Sequence, residues 1–161
     1  MTNRLAILLA SALVAASPAA AQPSATAAPS ATAAPAATAA PATRLDVVFT
    51  GVETRTGSIM IALFDSEDAY NGKGAPVRAT AVPVKDGALN SVIAGLAPGR
   101  YAIKAFHDVD GDGKMGINPF GMPIEPFAFS NNAKGNRGPA VWADAAFTVA
   151  PGGTVQAITI Q

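Results

Sequence analysis

From Arg44 onward the apolar residues of this chain recur with a period of two, a pattern that builds strands and leaves no room for a helical fold. Leu45, Val47 and Phe49 alternate with Asp46, Val48 and Thr50. Ile59, Ile61 and Leu63 alternate with Met60, Ala62 and Phe64, a run apolar on both sides and so expected to be a central strand. Residues 77–84 form a weaker run that Pro83 demotes towards an edge. Ala88–Ile93 follows the pair Asp86-Gly87, which predicts a hairpin over 77–93. Tyr101–His107 alternates again, and Ala146–Val149 and Thr154–Ile160 are joined through Pro151-Gly152-Gly153. Only Ser66–Tyr70 offers a capped helical turn. In Leu96-Ala-Pro-Gly-Arg-Tyr101, Pro98 and Gly99 occupy the central positions of a type II turn. Tyr101 then opens a strand with its ring buried and its hydroxyl on backbone. About seven short strands between Gly and Pro turns predict an all-β domain over residues 44–161, an antiparallel β-sandwich of immunoglobulin-like architecture.

The first 43 residues do not share this pattern. Arg4 is followed by an uncharged, mostly apolar stretch, Leu5–Ala16, too short for a membrane span of about 20 residues. Ala19-Ala20-Ala21 supplies the small residues of a cleavage site, so residues 1–21 are expected to be a signal peptide for the general secretory route. Residues 22–43 repeat Pro at 23, 29, 35 and 41 among Ala, Thr and Ser. Such a segment cannot bury enough apolar surface to order itself, and is expected to be a linker. The expected location is the periplasm or the exterior, with no membrane span after cleavage. Zero cysteines exclude a disulfide scaffold, a thiol nucleophile and a lipoprotein anchor. Eleven basic residues against eleven acidic ones leave no cationic excess for nucleic acid.

One segment carries residues with metal chemistry. Asp108, Asp110 and Asp112 alternate ahead of Gly113, the opening half of a D-x-D-x-D-G calcium loop. Alternate residues on a tight curve aim carboxylates inward, and their repulsion is offset when a cation sits between them. The closing half is absent: Pro119 occupies the position of the bidentate Glu, and Gly116 brings no side-chain oxygen. Asn118 or Glu125 could complete a Ca²⁺ shell from outside; the alternative is a metal-free run of Asp-Gly turns. The strand-like flanks exclude an EF-hand. Residues 115–142 then form one long irregular loop holding Phe120, Phe127, Phe129 and Trp142. Its aromatic residues form either a ligand or partner surface or a plug for the open end of the sandwich.

These residues carry a resemblance. Gly57-Ser-Ile-Met-Ile-Ala-Leu-Phe64, Leu96–Tyr101, Phe106-His-Asp108 with Gly111-Asp-Gly113, Gly121-Met-Pro123, Glu125, Phe129-Ser-Asn-Asn132, Gly138-Pro139 and Asp144-Ala-Ala-Phe147 stand in one order. Over about residues 45–160 the chain resembles the secreted bacterial family known as domain of unknown function 2141. The resemblance implies a prealbumin-like sandwich outside the cytoplasm and no established activity. The family pattern carries a further Asp where this chain has Gly116, a departure that weakens calcium binding here. The leading expectation is an exported accessory or binding domain, without enzymatic activity, that takes Ca²⁺ or an envelope partner through the acidic loop and the adjacent aromatic loop. The first alternative is a small extracytoplasmic hydrolase using Asp108, Glu125 and His107. Prealbumin-like folds include a hydroxyisourate hydrolase, but its site uses several histidines and this chain has one. The second alternative is a carbohydrate-binding module, which needs exposed coplanar aromatics among Trp142, Tyr70 and the loop phenylalanines.

Overall fold

The structure, a computed structural model, describes residues 43–85 and 89–161. The expected signal peptide, nearly all of the linker and the Asp86-Gly87 pair lie outside the described residues. Among the described residues eight strands form in the order β1 (Thr43–Thr50), β2 (Ser58–Phe64), β3 (Arg78–Pro83), β4 (Leu89–Leu96), β5 (Gly99–Asp108), β6 (Phe127–Phe129), β7 (Phe147–Val149) and β8 (Thr154–Thr159). Each of the seven apolar windows contains one strand, and β6 is the addition. β1 begins at Thr43, one residue inside the stretch read as linker.

Two sheets face each other. One has the order β4-β1-β8; the other has the order β3-β2-β5-β6, with β7 also paired to β5. The inward residues of both sheets meet in one core: Leu45, Val47, Phe49, Ile93 and Ile158 against Ile59, Ile61, Leu63, Ile103 and Val149. The β-sandwich expectation therefore holds, with one exception to its antiparallel pairing: β1 and β8 run parallel, Leu45 opposite Thr154 and Thr50 opposite Thr159. The hairpin expected over 77–93 does not form. β3 pairs with β2 and β4 pairs with β1, so the chain crosses between sheets there. Alternation specifies which face of a strand is buried and leaves its neighbour open. The type II turn is also corrected. Gly99 is the first residue of β5, and its φ is not positive. A Cβ here would stand 3.6 Å from the Tyr101 ring, an ordinary van der Waals distance, so neither backbone nor packing requires glycine at this position. Tyr101 itself is buried and donates its hydroxyl to the Ala97 carbonyl at 2.9 Å, as expected.

The second sheet is also covered on its outer face. Phe64, Ala102, Phe129 and Trp142 pack there with Ala69 and Tyr70 from the helical turn Ala69–Lys73. Tyr70 meets Phe64 edge-on at 5.6 Å and Trp142 at 5.7 Å, and donates its hydroxyl to the Ala140 carbonyl at 2.9 Å. Lys104 lies over the Tyr70 ring at 4.2 Å and donates to the Tyr70 carbonyl at 2.6 Å, and burial lowers its pKa. Burial pushes the Tyr70 phenol up from 10.0 to about 12. The folded state thus favours the neutral phenol, and this contribution is complete below pH 10 and lost as pH rises through about 12. Lys104 acts in the opposite sense up to its ordinary value of 10.5, because burial favours its neutral amine. Urea melts at pH 9 and pH 12 should show roughly 2 kcal/mol of extra alkaline loss in the native chain relative to Tyr70→Phe.

A three-residue staple closes the edge of β5. β7 pairs with Gly99–Tyr101 and β6 with Lys104–Phe106, so Ile103 falls between them. Its N–H donates to Ser130 Oγ at 2.8 Å, and that hydroxyl donates to the Ala145 carbonyl at 2.6 Å. Asn131 and Asn132 follow at φ 57° and 52°. Asn131 Nδ2 donates to the carbonyls of Asp144 and Ala146, and Asn132 Oδ1 accepts the Thr159 N–H at 2.8 Å, which ties β8 to the opposite sheet. Ser130→Ala leaves two buried backbone groups unpaired. Chemical denaturation should register a loss of about 2–4 kcal/mol, against under 1 for the exposed Ser66→Ala.

Candidate functional site

β5 carries the two residues on which the site expectations turned, and strand alternation separates them. His107 follows Tyr101, Ile103 and Ala105 on the inward set and is only 1% exposed. Its Nε2 lies 2.7 Å from the Thr56 carbonyl. A carbonyl only accepts, so Nε2 carries a proton that it donates there, and this edge of the ring is committed to backbone. His107 adjoins a cleft of about 170 Å³ that also touches Glu53, Thr54 and Pro126. Asp108 points instead into the acidic loop. The trio proposed for hydrolysis, Asp108, Glu125 and His107, is therefore split: the two carboxylates converge and the imidazole does not join them.

The acidic loop is a set of side-chain-to-backbone turns. Asp108 accepts from the N–H groups of Gly111 (2.8 Å) and Gly113 (3.0 Å), one on each oxygen. Asp110 accepts from Asp112 N–H, and Asp112 from Lys114 N–H at 2.7 Å. Glu125 closes the loop from outside, accepting from Val109 N–H and from Gly116 N–H, both at 2.9 Å. Oxygens of Asp108, Asp110 and Glu125 consequently all lie within 4.8 Å of one another. Asp112 and Asn118, also named as candidate ligands, do not join that group. Asp112 is exposed. Asn118 holds a turn, its Oδ1 accepting from Phe120 N–H (2.9 Å) and Met122 N–H (3.0 Å). Each carboxylate oxygen that accepts one N–H retains a lone pair, so the three clustered carboxylates keep capacity for a hard cation.

Beyond the loop the chain forms a small finger. Ile117 bridges Pro123, Asn118 N–H donates to the Met122 carbonyl at 2.8 Å, and Ile124 N–H donates to Gly116 at 2.9 Å. Part of the stretch read as one irregular loop is thus a tight hairpin, β6 and the helical turn Ser130–Asn132 occupy more of it, and a four-residue helix, Trp142–Ala145, begins at its last residue. The finger exposes Ile117, Met122 and Ile124, and Phe120 at its tip is 90% exposed. The expected aromatic surface divides accordingly. Phe120 is on it and Phe127 is marginally so, whereas Phe129 and Trp142 are buried in the outer core, because the loop folds over its own sheet. With Tyr70 also buried, the flat aromatic platform that a carbohydrate-binding module requires is not formed by these residues.

Sequence reasoning missed the roles of Ser130, Asn131 and Asn132. The signal was present as three consecutive small polar residues directly after an apolar pair, a pattern suited to side-chain bonding of backbone. Among the described residues no helix is long and apolar enough to cross a membrane. The family model described as an uncharacterized protein conserved in bacteria, domain of unknown function 2141, matches residues 47–157. No curated protein and no solved structure matches the chain.

Proposed function

The chain belongs to this bacterial family, and from that premise we propose that it is an exported, non-catalytic binding domain whose contact surface is the finger at 116–124 and its acidic base. The observation that carries the reading is the finger itself. Four large apolar side chains, Ile117, Phe120, Met122 and Ile124, stand in solvent on a backbone fixed by its own hydrogen bonds. Clustered exposed apolar residues on an ordered element mark interaction sites, and a projecting Phe suits a concave apolar pocket on a protein partner. The basic and apolar leader at 1–21 and the Pro-repeat spacer support a partner in the cell envelope. Catalysis is disfavoured because the histidine is spent on Thr56 and the converging carboxylates do not line the cleft that His107 adjoins.

The test is retention of the labelled mature chain on an envelope fraction. Saturable retention should fall at least tenfold in Phe120→Ser, a loss of about 1.4 kcal/mol or more, and stay unchanged in Val92→Ser, an exposed control on the other sheet. Equal retention of Phe120→Ser sinks the reading, and so does equal retention on protein-free lipid vesicles.

The convergence of Asp108, Asp110 and Glu125 favours a second reading, in which Ca²⁺ binds at the base and stiffens the finger. Millimolar Ca²⁺ should then raise the melting temperature above that in chelator, through linkage to the folded state. Glu125→Gln should abolish the increment. An identical melt in Ca²⁺ and in chelator ends this reading and leaves the first intact.

A further inference from the structure

The finger carries a methionine whose environment differs from those of the other methionines described. Met122 is 61% exposed, whereas Met60 on β2 and Met115 before the finger are half-buried. The backbone of Met122 is fully used, its N–H on Asn118 Oδ1 at 3.0 Å and its carbonyl accepting from Asn118 N–H at 2.8 Å. Its thioether belongs to neither core cluster. The residue is thus held in place by its main chain while most of its surface stands in solvent.

We propose that Met122 is an oxidation site through which a peroxide changes the finger from apolar to polar without unfolding the domain. Hydrogen peroxide transfers one oxygen to the sulfur: the O–O bond breaks, an S–O bond forms, the thioether is oxidised by two electrons, and water leaves. The product sulfoxide is a strong hydrogen-bond acceptor and is reduced back by sulfoxide reductases, so the change is reversible. It places a polar group one residue beyond Gly121 and two beyond Phe120, on the same finger. As control of partner binding the switch rests on the proposed function; as a site of chemistry it stands on exposure and hydrogen bonding alone.

The experiment treats the mature chain with hydrogen peroxide and follows each methionine by peptide mass mapping. The first oxygen should fall on Met122, with a rate on the order of tenfold above those of Met60 and Met115. Thermal melting followed by circular dichroism should be unchanged at one oxygen per chain, and Met122→Leu should remove the fast phase. Equal rates at Met60 or Met115, or a fall in melting temperature with the first oxygen, overturns the proposal. Envelope retention is then measured on the singly oxidised chain. Retention that is lost in Phe120→Ser but kept after oxidation rejects the switch while sparing the proposed function. Fast oxidation of Met122 with no Phe120-dependent retention rejects the proposed function while sparing the site.

Discussion

Gly57→Ala is expected to cost roughly 3–5 kcal/mol and to dismantle the acidic loop along with the start of β2. Gly57 sits at φ +73°, in the left-handed region that L side chains rarely enter. An added Cβ would stand 1.9 Å from the Asp108 carbonyl oxygen and 2.9 Å from Val109 Cα, both backbone atoms that cannot rotate aside. The Gly57 carbonyl also accepts the Val84 N–H at 2.9 Å, so the position is fixed from its other side. Relief therefore requires β5 to part from the β1–β2 connection at the residue that supplies Asp108. Urea denaturation gives the stability loss. The amide resonances of Gly111 and Gly113, held by the Asp108 carboxylate, should shift most. A loss under 1 kcal/mol, or unmoved glycine amides, contradicts the account.

Trp142→Ala is expected to destabilise by about 3–5 kcal/mol, the range for deleting a large buried aromatic ring. The indole is 9% exposed and lies edge-on against Tyr70, which in turn lies edge-on against Phe64. Its removal opens a cavity in the outer core and loosens the segment whose Ala140 carbonyl receives the Tyr70 hydroxyl. Trp142→Phe keeps most of the apolar contact and should lose less than half as much. Phe120→Ala, at the 90% exposed tip, should stay within about 0.5 kcal/mol. Denaturation followed by circular dichroism distinguishes the three. Trp142→Ala no worse than Phe120→Ala would mean that the outer core contributes nothing to stability.

The contrast between these two rings shows how far the sequence could be read. Period-two alternation located β1, β2, β5 and β8 because their inner faces share one core. It missed β6, since Phe127-Ala128-Phe129 is too short to display a period and follows Pro126. It could not assign strand partners, so a turn-forming Asp-Gly pair stood for a hairpin where the chain changes sheets. Asp108, Asp110 and Glu125 were legible from residue type, because a tight loop of alternating acids has few arrangements. That Asp112 and Asn118 stand apart was not, since each is occupied by a local turn visible only in three dimensions. Phe129 and Trp142 read as loop aromatics because the sequence does not show that the outer face of the second sheet needs a cover.

The parallel seating of β8 on β1 has a kinetic consequence. Thr50 and Thr159 are partners although they stand 109 positions apart in the sequence, and pairs so distant along the chain form late and slowly. Until residues 154–159 are free to dock, β1 keeps one bare edge and the inner cluster lacks Ile158. A ribosome that releases the polypeptide from its front end therefore holds back assembly of the sandwich until residues 154–159 have emerged.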